Sequence, residues 1–197
     1  MELLEVNPDF VVCIKPVGLD AEKELPAALQ EQVGGEIYTL HRLDKNVGGV
    51  MVYARNKQAA ASLSKTITNG EMVKEYVALV HGAPPAEGDW EDLLFKDSRK
   101  NKVFVVKRQR AGVKPARLIY HTLQTGAQSL VRIRLYTGRS HQIRVQFASR
   151  GYPLVGDHKY GSRDAATAPM LFSCCITFLH KGQLQHFEAY PEWGCAE

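Results

Sequence analysis

Cysteine is sparse in this sequence, and its four copies, Cys13, Cys174, Cys175 and Cys195, make no Cys-x-x-Cys pair and no metal-ligand spacing. That pattern argues against a disulfide scaffold or a zinc ribbon, and buried reduced thiols are expected. Long apolar runs are missing as well. No stretch approaches the roughly 20 residues of a membrane helix, and Glu2 and Glu5 stand where a secretory signal would carry basic residues. A cytoplasmic protein with no membrane contact is therefore expected. There is also no internal repeat, low-complexity tract or Gly/Ser linker. A single domain over residues 1–197 is the simplest organisation. A chain of that length can bury roughly 70% of its unfolded surface without a metal or a disulfide.

Acids are absent where bases crowd together. Arg99, Lys100, Lys102, Lys107, Arg108, Arg110, Lys114 and Arg117 follow one another with no Asp or Glu between them. A second acid-free stretch holds Arg132, Arg134, Arg139, Arg144 and Arg150. The net charge of +4 is mild and says little by itself. Two such clusters in one small domain nevertheless favour a polyanionic partner such as nucleic acid.

Apolar runs bounded by turn residues outline the elements. Phe10–Ile14 reads as a buried strand entering a turn at Lys15-Pro16-Val17-Gly18, and Val47–Ala54 as another buried strand. Asn56 and Gly70 bracket a helix whose stripe is Ala60, Leu63 and Ile67. Met72–Val80 is β-rich, with Lys74, Tyr76 and Ala78 sharing a face. The acidic segment 87–92 reads as loop. Val103–Val106 and Arg117–Leu123 read as strands joined near Ala111-Gly112, which would make the first basic cluster a hairpin. Leu130–Leu135 alternates, with Arg132 and Arg134 outward. Ser140 is expected to cap a short helix closed by Gly151, and Phe172–Phe178 and Gln185–Ala189 complete the strands. The expected class is α+β with a mixed, mostly antiparallel sheet flanked by helices and loops.

Two polar segments lie beside these buried strands: Thr39-Leu40-His41-Arg42-Leu43-Asp44 and Thr137-Gly138-Arg139-Ser140-His141-Gln142-Ile143-Arg144. Asp44 would sit in a loop at a strand's mouth, where a rigid scaffold commonly holds catalytic groups. Taken alone, each segment could equally be structural: an Asp bonding turn amides, an Arg left in solvent. His41, His141 and His158 show no ligand spacing such as H-E-x-x-H, so no metal is expected.

His41-Arg42-Leu43-Asp44 before a Gly-containing strand, then Lys74-Glu75-Tyr76, then Thr137–Val145 resembles the RluA-like pseudouridine synthase family. Asn7–Gly18, Lys114-Pro115-Ala116, Gly151–Asp157 and Tyr160-Gly161 match in the same order. The resemblance implies a catalytic domain alone, without the N-terminal RNA-binding domain of many relatives. It implies a cofactor-free, metal-free isomerase, expected as a monomer, that turns uridines of tRNA or rRNA into pseudouridine. It implies Asp44 as the catalytic carboxylate, Arg144 as the cation paired with it, and Tyr76 as the ring stacked on the target base. Arg42 would help extrude the nucleotide, since a uridine must leave its stack to react. Arg139, with His41 and His141, would contact RNA, and Leu171 would floor the base. The alternative is a non-catalytic RNA-binding or chaperone protein on the same fold. The chain departs from the family at Val47-Gly48-Gly49 (usually Thr-Ser-Gly), at Leu118 (usually Thr) and at Leu171-Phe172-Ser173 (usually Leu-His-Ala).

Overall fold

The computed structural model describes residues 1–194, so Cys195 lies outside it. In chain order the elements are β1 Leu3–Val6, β2 Phe10–Lys15, α1 Glu24–Val33, β3 Tyr38–Thr39, β4 Gly48–Ala54, α2 Lys57–Thr68, β5 Val73–His81 and β6 Glu87–Asp97. They continue with β7 Lys102–Val106, β8 Val113–Gln124, β9 Gln128–Leu135, α3 Gln142–Ser149, a 3-10 turn His158–Tyr160, β10 Leu171–His180 and β11 Gln183–Glu188. This is the expected α+β class. No helix among the described residues is long and apolar enough to cross a membrane.

The chain forms two compact units. The first comprises Met1–Lys74 and Phe172–Pro191, the second Glu75–Leu171 and the C-terminal residues from Glu192. In the first, the strand order is β1-β2-β4-β10, with β3 beside β4 and β11 beside β10. Every residue of β4 is buried, as a strand covered on both faces must be. Its Val50, Val52 and Ala54 pack with Phe10, Val12, Ile176 and Phe178, and α2 adds Ala59 and Leu63. The α2 N-terminus forms as expected, with Asn56 Oδ1 accepting from the Ala59 amide at 2.8 Å. α1 was not anticipated. Pro26 lies in its first turn, where a missing N–H needs no partner, and Leu25 and Leu29 carry its buried face.

In the second unit the order is β5-β9-β8-β6-β7. Three expectations are corrected here. Residues 87–92 are not loop but the start of β6, a strand paired with β8 from Glu87↔His121 to Phe95↔Val113. Glu87, Asp89 and Glu91 alternate outward, Asp89 gripping Arg117 at 2.7 and 3.0 Å. Between them Trp90 turns into an aromatic cluster with Tyr120 and Phe147, at ring distances of 4.5 and 4.7 Å. The period was two all along, and the charge masked it. For the same reason β7 and β8 are not a hairpin, because β6 pairs with both and separates them. The helix α3 begins after His141, in the left-handed region at φ 52°, and Ser140 does not cap it. Gln142, the first residue of α3, braces the chain ahead of the helix instead, its Oε1 accepting from the Arg139 amide at 3.0 Å and from Thr137 Oγ1 at 2.8 Å. β5 also departs from one-sided alternation, since Tyr76, Val77 and Ala78 are consecutively buried.

Candidate active site

In the first unit the segment carrying Asp44 runs from the end of β3 to the start of β4 and has no regular structure, as expected. Leu43 is buried beside it, and Asp44 itself is partly exposed. A tight turn follows, closed by the Val47 amide donating to the Asp44 carbonyl at 2.9 Å. The next carbonyl, that of Lys45, accepts from the Gly18 amide at 2.8 Å and from Lys15 Nζ at 3.0 Å. Lys15 also donates to the Pro16 carbonyl at 2.9 Å and is wholly buried at the end of β2.

Burial pushes the Lys15 ammonium down to about 8 from 10.5, although the carboxylates of Asp20, Asp44 and Glu24 work against that shift. A lysine ending a buried strand was visible in the sequence, but as part of a turn rather than as a site residue. His41 lies at the other end of the segment. Its Nε2 accepts from the Val52 amide at 3.3 Å, and burial with the nearby Lys74 ammonium pushes its pKa from 6.5 to about 3. Arg42 is exposed and pairs with Glu22 at 3.3 Å, a contact worth at most about 1 kcal/mol.

The departures behind Asp44 have a local explanation. Gly49 sits at φ 127°, and a Cβ there would stand 2.4 Å from the backbone N and O of Ser173, so glycine is obligatory. A Cβ on Gly48 would lie 3.4 Å from the Phe172 ring and 3.2 Å from the Lys15 carbonyl. The Phe172 ring, at a position where the family resemblance leads one to expect His, would lie in van der Waals contact with a side chain at 48, and the Lys15 carbonyl would be the tighter neighbour. Ser173, where the family has Ala, donates from Oγ to the Val50 carbonyl at 3.1 Å. What reads as two separate departures, at 47–49 and at 171–173, is one repacked patch between β4 and β10. Leu118, the remaining departure, is fully buried in β8.

The second unit holds Tyr76, Arg139, His141, Arg144 and Leu171. Tyr76 is buried in β5 and Leu171 is buried at the start of β10. Arg144, in the first turn of α3, is fixed by Asp157, with Nε to Oδ2 at 2.7 Å and Nη2 to Oδ1 at 2.8 Å. Its guanidinium also lies 5.2 Å from the centre of the Tyr160 ring. The Tyr160 hydroxyl accepts from the Val103 amide at 2.8 Å and bonds His141 Nδ1 at 2.8 Å. One 3-10 turn with the residue before it thus orients both Arg144 and His141. Asp157 and Tyr160 were matched to the family only as a stretch of sequence, and their place in the site was missed. Arg139 Nε donates to the Pro115 carbonyl at 2.9 Å, which fixes it to β8.

Chemically, the first unit presents a carboxylate on a braced loop near a buried ammonium, and the second presents a guanidinium in one fixed orientation. Among the described residues no group of three His, Cys, Asp or Glu side chains is arranged to hold a metal ion. A protein called Uncharacterized RNA pseudouridine synthase from Chloroflexus aurantiacus is 42% identical over 166 residues, covering 80% of this chain and 51% of its own length. The Dual-specificity RNA pseudouridine synthase RluA of Vibrio vulnificus is 34% identical over 171 residues, covering 84% and 66%. The chain thus spans about half to two thirds of the length of these curated relatives. Among solved structures, Human RNA Pseudouridylate Synthase Domain Containing 1 shares the fold, with a TM-score of 0.86 over 96% of this chain and 83% of that one at 23% identity. A family model described as RNA pseudouridylate synthase matches residues 8–149, well over half of the sequence. The chain belongs to the RNA pseudouridylate synthase family.

Proposed function

We propose that this chain isomerises uridine to pseudouridine in tRNA or ribosomal RNA, with Asp44 as its catalytic carboxylate. The observation that carries the reading is the family match over 8–149, which includes Asp44 on its braced loop, Tyr76 and Arg144. That match also runs across both compact units, which supports reading them as one catalytic domain.

The reaction breaks the C1′–N1 bond, turns the uracil, and joins C1′ to C5. The hydrogen lost from C5 is balanced by one gained at N1, so no oxidant, reductant or cofactor is required. What it needs is a group beside the sugar that acts as nucleophile or proton acceptor, and an ionised carboxylate serves either role. Such a carboxylate in a dry pocket is costly unless a cation balances it. Arg144 has that role in this reading, and Tyr76 stacks on the base. Arg42 aids extrusion of the nucleotide, whose unstacking costs a few kcal/mol. Arg139, His141 and the basic residues from Arg99 to Arg117 hold phosphates, contacts that position RNA without reading its sequence. Leu171 contributes the apolar floor, and the enzyme works as a monomer in the cytoplasm.

Incubation with cellular RNA followed by pseudouridine mapping tests the proposal. The parent should introduce pseudouridine, and Asp44→Ala should lower the rate by at least about 10³-fold, more than about 4 kcal/mol in the barrier. If both proteins bind RNA and neither modifies it, the chain is a non-catalytic RNA-binding module. Equal activity in the two would remove Asp44 from the mechanism.

A further inference from the structure

We propose that His41 is a positioning residue, whose neutral imidazole ties the loop carrying Asp44 to β4 by accepting the Val52 amide at Nε2. The inference rests on the reading of Asp44 as the catalytic carboxylate. It differs from the direct RNA contact that the family resemblance implied for His41.

The strand ladder beside β4 has a gap. On one side β4 pairs with β2 throughout Gly49–Ala54. On its other side β10 pairs at Gly48 and Gly49, and β3 pairs at Tyr53 and Ala54. Between those two partners the Val50 carbonyl and the Val52 amide face the gap, and β4 is buried over its whole length. Buried backbone groups need partners. Two side chains supply them: Ser173 Oγ donates to the Val50 carbonyl at 3.1 Å, and the Val52 amide donates to His41 Nε2 at 3.3 Å. The β3 ladder ends at Thr39, and two residues later the imidazole continues it by side chain.

That bond fixes the chemical form of the ring. An amide N–H only donates, so Nε2 must keep its lone pair and the single ring proton must sit on Nδ1. An imidazolium could not make the contact. The surroundings agree, since burial and the Lys74 ammonium of β5 both disfavour a charged ring. The consequence is mechanical. Asp44 stands three residues after this tie and one residue before the Lys45 carbonyl, which Gly18 and Lys15 hold. The carboxylate is therefore carried on a short span of chain anchored at both ends, and His41 is the anchor on the side of β3.

Nitrogen-15 NMR on histidine-labelled protein should show Nε2 of His41 unprotonated, Nδ1 protonated, and no titration near the ordinary value of about 6.5. Hydrogen exchange at the Val52 amide should be protected in the parent and much faster in His41→Ala. In activity assays His41→Ala should lower kcat about 10- to 100-fold, the scale of a misplaced reacting group, with RNA affinity within about twofold of the parent. His41→Gln places an amide oxygen near the position of Nε2 and should restore most of kcat and the Val52 protection. A ring that titrates near its ordinary value, or Val52 exchange unchanged in His41→Ala, overturns the proposal. So does RNA affinity that falls in step with activity. If His41→Ala does not fold, the parent's tautomer and the His41→Gln variant decide. If the parent makes no pseudouridine, the reading of Asp44 fails, while the tautomer and exchange results still decide whether His41 ties the loop.

Discussion

Asp157 holds the Arg144 guanidinium through two parallel hydrogen bonds, with side chains only 1% and 9% exposed. A fork-to-fork pair of this kind fixes the plane of the guanidinium as well as its position. Asp157 begins the turn that also carries Tyr160, so the direction in which Arg144 points is set from outside its own helix.

Removing Asp157 takes two hydrogen bonds from a buried guanidinium. Asp157→Ala should destabilise the protein by about 3–5 kcal/mol in urea unfolding. Asp157→Asn, which keeps one acceptor, should cost less. At a temperature where both variants are folded, each should still modify RNA more slowly than the parent with little change in RNA affinity. Arg144→Lys cannot make two parallel bonds and should behave like a loss of Asp157. Full activity in a folded Asp157→Ala would show that the orientation of Arg144 is irrelevant.

The repacked patch beside Asp44 gives a prediction about coupling. Gly48→Ser alone should destabilise by about 1 kcal/mol, because its Cβ would crowd Phe172 and the Lys15 carbonyl. In a Phe172→His background the same change should cost less, with a coupling of at least about 0.5 kcal/mol in a double-mutant cycle. Gly49→Ala, by contrast, adds backbone strain to a clash with Ser173. It should cost more than about 3 kcal/mol in any background.

Lys15 and His41 set opposite pH limbs. Lys15 has a folded pKa of about 8 against 10.5. Between those values the unfolded chain binds more protons, so this group makes stability rise with pH there. Both protons of a neutral Lys15 amine can still reach the Pro16 and Lys45 carbonyls. His41 has a folded pKa of about 3 against 6.5. The unfolded chain again binds more protons, so stability from this group falls as pH drops from 6.5 toward 3. Denaturant midpoints measured across pH should show both slopes. Lys15→Met should flatten only the alkaline slope, and His41→Gln only the acid one.

The basic residues divide into paired and outward sets. Arg117 is engaged by Asp89, whereas Lys107, Arg108 and Arg110 lie exposed in the connection between β7 and β8, Arg110 over the ring of Phe95 at 4.7 Å. Replacing Lys107 and Arg108 with Ala should weaken RNA binding at low salt. It should also reduce the slope of log affinity against log salt by about 1 for each lost phosphate contact. An unchanged slope would place the RNA elsewhere.

Much of the fold could be read where one physical demand acted alone. Phe10–Ile14 and Val50–Ala54 are apolar without interruption because strands covered on both faces must be, and Asn56 reads as a cap because its side chain bonds three residues away. Reading failed where two demands overlapped. In residues 87–92 the acids of the outward face hid the alternation around Trp90. α1 went unassigned, although Pro26 in its first turn is compatible with a helix. At Ser140 the cap preference was real, but the helix begins one residue later, after His141 in the left-handed region.

The amino-acid order alone places His41-Arg42-Leu43-Asp44 at the mouth of a buried strand. Through the family pattern it also led to Asp44 as the carboxylate of the proposed mechanism. Those features depend on neighbours along the chain. Only tertiary structure decided that Lys15 and His41 brace the loop, that Asp157 and Tyr160 orient Arg144 and His141, and that Gly48, Phe172 and Ser173 form a single patch. Each of those relations joins residues far apart in sequence through a hydrogen bond or a contact of a few ångströms. No local periodicity encodes such partners, because they are chosen by strand pairing and by the requirement that buried polar groups be satisfied.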